Sequence, residues 1–263
     1  MTYLSVDDSK RSQPTPSAVC KYLDWDSRFF GVRIGQVQGS RLDSEFLRRV
    51  IDYAQRESLE CLYFLADFDA NTIHLAEQAD FHLVDVRLTL EARPGDIDLT
   101  GHSDDLVRQA LPQDIPLLRD IAASSHTDSR FYKDPNFSRH LCDEMYRVWI
   151  EKSCTGGAEV VLVANHDSRP AGYISCHVHA GGQGQIGLVG VAPDARNMGI
   201  GRMLLQRALC WFHGRRIAEV IVVTQGSNVG AQRLYQKSGF RSRNLQLWYH
   251  FWRSGKCELG KPC

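Results

Sequence analysis

No apolar run in this 263-residue chain approaches the roughly 20 residues that a membrane helix needs. Membrane insertion is therefore not expected. Neither sign of charge is in excess, with 31 Lys and Arg against 31 Asp and Glu. A dedicated nucleic-acid binder would show a basic footprint, so no nucleic-acid partner is expected. Cys-x-x-Cys pairs are missing, although there are eight cysteines at Cys20, Cys61, Cys142, Cys154, Cys176, Cys210, Cys257 and Cys263. A zinc ribbon uses that pair spacing, so no metal is expected. The thiols read as reduced, small apolar groups. The opening MTYLSVDDSKRSQPTPSAVCK has no apolar stretch and begins with acids, which argues against a secretory signal. The expected location is cytoplasmic.

What is present is ordinary globular composition, 43% hydrophobic and 24% charged, at a length that suits one or two domains. Residues 1–20 are polar, carry Pro14 and Pro16, and read as a tail. Residues 21–95 read as a small α/β unit. In it, Arg28–Val37 has strand composition interrupted by Gly31 and Gly35. Asp43 caps a helix on which Phe46, Leu47, Val50, Ile51 and Ala54 repeat at helical spacing. Cys61–Leu65 is a buried strand, Ala70–Ala79 a helix, and Phe81–Leu90 an alternating strand. Pro94-Gly95-Asp96 opens a polar linker that runs to Asp105. A second domain, residues 104–254, follows, with a tail at 255–263. Its helices are expected at Gln113–Ser125, Phe137–Lys152, Met203–Phe212 and Ala231–Lys237. Its strands are expected at Leu106–Ala110, Glu159–Ala164, Pro170–His179, Gln185–Val191, Ile217–Val223 and Leu245–Trp252. In the last of these, Leu247, Tyr249 and Phe251 face one way and Trp248, His250 and Trp252 the other. Two apolar faces imply a central strand or an interface, and a homodimer is one expectation.

The informative segment is Gly187–Gly201, GLVGVAPDARNMGIG, a strand that turns into an amphipathic helix. Glycines at 199 and 201 let backbone approach a ligand closely. Unpaired N–H groups at the helix start suit a diphosphate. Taken alone, the same glycines also fit close helix–strand packing. After the strand IAEVIVVT, Ser227-Asn228 opens a helix that ends Leu234-Tyr235-Gln236-Lys237-Ser238-Gly239-Phe240.

Together these residues resemble the acetyl-CoA-binding pattern of GNAT (GCN5-related) N-acetyltransferases. Arg196, Gly199 and Gly201 match the Gln/Arg-x-x-Gly-x-Gly/Ala loop, Asn228 the following helix start, and Leu234, Tyr235, Gly239 and Phe240 its ending. The resemblance implies a mixed, mostly antiparallel sheet flanked by helices, an α/β (α+β) fold, with acetyl-CoA as co-substrate. It places the CoA pyrophosphate on backbone of Arg196, Asn197, Met198, Gly199, Ile200, Gly201 and Arg202. The pantetheine would run along Leu188, Val189 and Val191, where the sheet is expected to splay. Asn228 would sit near the pantetheine, and Tyr235 would protonate the leaving thiolate; without the motif, Tyr235 is a core aromatic. An oxyanion donor is available in a backbone N–H near Val189.

No Asp or Glu occurs between Gln183 and Val191 to act as a base. His177 and His179 share a strand face, as a base, a sugar contact, a metal pair or, the preferred reading, a half-exposed surface. A narrower resemblance is to the dTDP-fucosamine acetyltransferases of the family. It rests on Phe29-Phe30-Gly31-Val32, Ser129-Arg130-Phe131, Tyr146, Trp149-Ile150-Glu151 and Ile186-Gly187-Leu188. The longer Gly190–Gly199 segment departs from that pattern and leaves the sugar open. The resemblance implies a nucleotide-linked amino sugar as acceptor, in cell-surface polysaccharide synthesis. Arg130 and Lys133 would then meet a diphosphate, and Phe131 and Tyr132 a base or sugar face; otherwise this loop covers the core. The alternatives are a protein N-terminus as acceptor, or a non-catalytic acetyl-CoA-binding module.

Overall fold

A computed structural model of the chain describes residues 19–99 and 106–253. In chain order the first elements are β1 (Cys20–Tyr22), α1 (Asp24–Phe30), β2 (Ile34–Val37), α2 (Ser44–Arg56), β3 (Cys61–Asp67), α3 (Ala70–Gln78) and β4 (Phe81–Ala92). Then come β5 (Val107–Gln109), α4 (Ile115–Ser125), α5 (Arg130–Lys133), α6 (Arg139–Lys152), β6 (Val160–His166) and β7 (Arg169–Val178). The last are β8 (Gly184–Val191), α7 (Ile200–Gly214), β9 (Val220–Gln225), α8 (Val229–Lys237) and β10 (Arg241–Trp252). Residues 1–18 of the expected first tail, linker residues 100–105, residue 254 and the expected tail 255–263 lie outside the described residues.

The described chain falls into two compact units. The first takes the stretch up to Arg87, Ser129–Leu141, and the stretch from Leu245. Its strand order is β1-β2-β3-β10-β4, with β2/β3 parallel and β1/β2 and β3/β10 antiparallel. Two of its helices start where acids cap them: Asp43 accepts from the Phe46 N–H at 2.7 Å, and Asp69 from the Thr72 N–H at 3.0 Å. Apolar spacing on α2 sends Val50 and Ala54 into the core with Leu62, Phe64 and Tyr249.

The expected strand at Arg28–Val37 is a helix followed by a strand. Trp25 and Phe29, four apart, stack at 4.9 Å, and Gly31 ends α1 at φ 71°, donating its N–H to the Ser27 carbonyl. Only Ile34–Val37 is extended. Aromatics have strand composition, but here their helical spacing decides. Strand β10 lies between β3 and β4. Leu247, Tyr249 and Phe251 join one core cluster, and His250 is buried on the other face. Both apolar faces are covered within one chain, so this pattern needs no second copy.

The second unit takes Leu88–Asp128 and Cys142–Asn244, with strand order β4-β9-β8-β7-β6-β5. Pairing is antiparallel from β5 through β8 and parallel at β8/β9. The sheet is mixed and mostly antiparallel, flanked by helices. On α7, Leu204, Leu205, Ala208, Leu209 and Phe212 are buried, the stripe a core-facing helix requires. Val160–Ala164 are all buried, as expected of a strand covered on both faces.

The expected linker is not free chain where it is described. Pro94 is buried in a short turn, and Ile97 and Leu99 pack on this unit's core. The division falls earlier, at Arg87/Leu88 within β4. Ser129–Leu141 and the end of β10, read from sequence as part of the 104–254 domain, group with the first unit instead.

Candidate active site

In the second unit, Ile174 faces Val189 and Cys176 faces Ile186 across β7 and β8. Gly187 and Leu188 therefore stand opposite Ser175 alone, which makes a bulge in β8. The fully buried Ser175 accepts the Leu188 N–H on its Oγ at 2.8 Å. A bulged strand bends, and the parallel pairing to β9 stops here: only Gly184–Ile186 pair with Val220–Val222. The expected splay is present, and the bulge is its cause.

Direction follows from the ladder. The N–H of Leu188 goes to Ser175, and that of Ala192 to the Ala171 carbonyl at 2.8 Å. Alternation along the strand then turns the N–H groups of Val189 and Val191 to the opposite edge, where β9 has diverged. Of the three strand residues expected to pair with a ligand, Val189 and Val191 turn their N–H groups to this open edge. Leu188 does not, because its N–H is occupied and its side chain is buried.

After β8 the chain passes Arg196, which donates through Nη2 to the Ser124 carbonyl at 3.0 Å and so ties the loop to the end of α4. Asn197 (φ 63°) and Gly199 (φ 82°) take left-handed conformations that bring the chain into α7. Helix α7 has no side-chain cap, and its first described turn bond is Met203 N–H to the Gly199 carbonyl. The N–H groups of Ile200, Gly201 and Arg202 are the unpaired ones of the first turn. Asn197, Met198 and Arg202 are exposed, while Ile200 is buried and anchors the turn. A Cβ on Gly201 would lie 3.2 Å from Leu234 Cδ2, so glycine lets α7 and α8 close together.

Asn228 caps α8, accepting the Ala231 N–H on Oδ1 at 3.0 Å. The Tyr235 ring is buried against Phe240, centroids 5.8 Å apart. Among the described residues no hydrogen bond to its hydroxyl is made. Burial pushes the phenol well above its ordinary pKa, so Tyr235 keeps its proton at neutral pH.

Residues 124–240 match the Acetyltransferase (GNAT) family model. The chain carries a GNAT acetyltransferase domain. Over 232 residues it is 27% identical to the dTDP-fucosamine acetyltransferase of Escherichia coli O6:H1, covering 87% of this chain and 96% of that protein. Over 141 residues it is 29% identical to the spore coat polysaccharide biosynthesis protein SpsD of Bacillus subtilis, covering 54% of this chain. That match spans 48%, about half, of SpsD's length. A GCN5-related N-acetyltransferase from Sphaerobacter thermophilus shares the fold, with a TM-score of 0.63 at 16% identity over 89% of this chain and 76% of that one.

Two features of the GNAT domain escaped the sequence reading. His126, just after α4, meets the Tyr173 hydroxyl at 3.0 Å and stacks on Tyr146 at 4.4 Å. Burial pushes this imidazole down to about 4, so it is neutral at pH 7. The Tyr173 ring occupies the space where a Cβ on Gly190 would lie 2.7 Å from Cε1. The second feature is Ser175, whose only sequence signal is its place two residues before His177. The two strand histidines do not act as a pair. His177 contacts Ser175 Oγ at 3.2 Å, and His179 bonds Gln185. Among the described residues no group of three or more His, Cys, Asp or Glu is placed to hold a metal.

The four residues expected to meet the acceptor belong to the first unit, where Lys133 pairs with Asp85 at 2.8 Å. Phe131 is buried among Phe30, Tyr63 and Phe137, so its face is taken and cannot stack on a base. The Arg130 guanidinium lies over the rings of Tyr63, Phe131 and Trp248, at 4.1–4.3 Å, with Nη1 2.8 Å from His250 Nε2. It is bound within the unit rather than displayed for a diphosphate. The Tyr132 ring lies beneath Arg139 at 5.7 Å. His250 bonds Asp134 Oδ2 through Nδ1 at 2.6 Å, and Asp134 also accepts from Trp252 Nε1 at 2.8 Å.

Proposed function

We propose that the protein transfers the acetyl group of acetyl-CoA to the amine of a nucleotide-linked amino sugar, for cell-surface polysaccharide synthesis. The acceptor is dTDP-4-amino-4,6-dideoxygalactose or a close relative. The observation that carries the reaction type is the open edge of β8 at Val189 and Val191, beside an α7 without a side-chain cap and a Tyr235 hydroxyl with no hydrogen-bond partner among the described residues. Similarity to a dTDP-fucosamine acetyltransferase along 87% of the chain supports the acceptor class.

Each group has a defined task. The first-turn N–H groups of α7 bind the CoA pyrophosphate, with the helix dipole favouring its charge. The backbone of Val189 and Val191 holds the pantetheine as an added strand, and Asn228 contacts it from α8. The Val189 N–H stabilises negative charge that develops on the acetyl oxygen as the neutral amine attacks the carbonyl carbon. As the C–S bond breaks, Tyr235 donates its proton to the departing thiolate. The proton lost by the amine returns through solvent.

The test is thiol release from acetyl-CoA with dTDP- and UDP-linked 4-amino and 3-amino sugars, beside peptide amines. Turnover with a 4-amino sugar nucleotide is expected. Turnover with peptides alone would replace the acceptor class, and saturable acetyl-CoA binding without any turnover would leave a binding module. A further expectation concerns the loop. Gly199→Val forces a β-branched residue to φ 82°, a strain of about 1–2 kcal/mol, and moves the N–H groups it should present. Calorimetry is expected to show acetyl-CoA affinity reduced about tenfold with the fold retained.

A further inference from the structure

We infer that Ser175 and His177 are positioning residues, a hydrogen-bonded relay that sets the β8 bulge and thereby aims the Val189 N–H at the acetyl oxygen. This rests on the acetyl-transfer reading above. The relay lies wholly within the GNAT domain and starts at Gly157, after α6, whose carbonyl accepts from the His177 imidazole. The Nε2 of the same ring lies 3.2 Å from Ser175 Oγ, and that oxygen accepts the Leu188 N–H at 2.8 Å.

One proton arrangement satisfies every group. The ring donates to Gly157, so Nε2 carries a lone pair and receives the Ser175 hydroxyl proton. The serine oxygen is then a stronger acceptor for Leu188. Burial holds the imidazole in its neutral form, as the arrangement requires.

Gly187 shows that the space was left for this relay. A Cβ there would stand 2.6 Å from His177 Nε2 and 2.7 Å from Ser175 Oγ. Only glycine lets the imidazole reach the hydroxyl over the strand. The bulge has two residues opposite one, and Ser175 supplies by side chain the acceptor that Leu188 requires. Without it, the Leu188 N–H loses its acceptor and the bulge is free to shift. Val189 is the next residue, so its N–H shifts with it. A displacement of about 1 Å at a reacting centre can cost on the order of 100-fold.

The experiment compares Ser175→Ala, His177→Leu and His177→Gln with wild type, reading kcat, the KM for acetyl-CoA, and the amide resonances of Leu188 and Val189. Glutamine can donate to Gly157 and accept from Ser175; leucine can do neither. Ser175→Ala and His177→Leu are expected to lower kcat about 10- to 100-fold, with KM within twofold and both amides shifted. His177→Gln is expected to restore kcat to within threefold of wild type. Should Ser175→Ala not fold, the two variants of the partly exposed His177 decide.

The relay is overturned if His177→Leu keeps kcat within twofold, or if His177→Gln loses as much as leucine does. It is also overturned if KM rises in proportion as kcat falls. If the wild-type protein acetylates no amine, the acetyl-transfer reading fails by itself. The amides then decide the relay: unchanged Leu188 and Val189 resonances in His177→Leu overturn it, and shifted resonances that glutamine restores uphold it.

Discussion

Tyr235→Phe is expected to lower kcat about 100- to 10,000-fold, the usual span for loss of a positioned general acid, while acetyl-CoA affinity stays within twofold. The substitution removes one oxygen that no protein group binds among the described residues and keeps the ring that packs on Phe240. Stability should therefore be unchanged within about 0.5 kcal/mol. In the proposed mechanism the Tyr235 proton is needed only as the thiolate departs, so binding is spared and the loss falls on kcat. Thiol-release kinetics beside calorimetric binding check this. A variant with wild-type kcat would remove Tyr235 from the mechanism and leave a packing role. Because burial raises the phenol pKa, ionisation of Tyr235 should not limit the rate at any pH near neutrality.

Acidification should destabilise both units well above the range where ordinary carboxylates titrate. His126 and His250 are each held down to about 4 from an ordinary 6.5. Burial is the main cause for both, and at His250 the geometry agrees. Nε2 faces an Arg130 nitrogen at 2.8 Å and must accept from it, while Nδ1 donates to Asp134 at 2.6 Å. A second ring proton would point at the guanidinium. The folded pKa values are depressed, so the unfolded chain binds protons more readily below 6.5. The stabilisation is complete above that pH, falls as pH drops toward 4, and is exhausted below it. His126 accounts for about 3 kcal/mol over that window, and His250, coupled to Asp134, acts in the same direction. Asp26 and Asp85, pushed up by burial, act with the opposite sign at the acid end. Denaturant titrations at pH 7, 6 and 5 isolate the histidine part; equal stability at all three would refute the assignment.

The sequence made the candidate site of the GNAT domain readable because its parts depend on local chemistry. Gly199 must adopt positive φ, Asn228 must cap α8, and Tyr235 follows at fixed helical spacing. Chain direction could not be read the same way. Leu188 looks equivalent to Val189 until the bulge at Gly187 and Leu188 reverses the alternation, and that bulge exists only against Ser175 on a neighbouring strand. His177 and His179 share a strand face by spacing, yet their partners come from different neighbours. In the first unit, Phe29-Phe30 has the composition of a strand and the contacts of a helix. Arg130 and Phe131 look like an exposed recognition pair until Phe30, Tyr63 and Trp248 enclose them. Those contacts join residues far apart in the chain, which periodicity does not encode.

The pairing of β3 with β10 has a consequence for how the chain matures. Cys61–Asp67 is hydrogen-bonded to Gln246–Trp252, so the first unit is closed by a strand made some 180 residues later. On the ribosome, the early segment must wait with one edge of β3 bare while the whole GNAT domain is synthesised. An open apolar strand edge invites wrong partners. Translation speed and chaperone access after Asp67 therefore bear on the yield of folded protein, and neither unit can be cut out as a continuous piece.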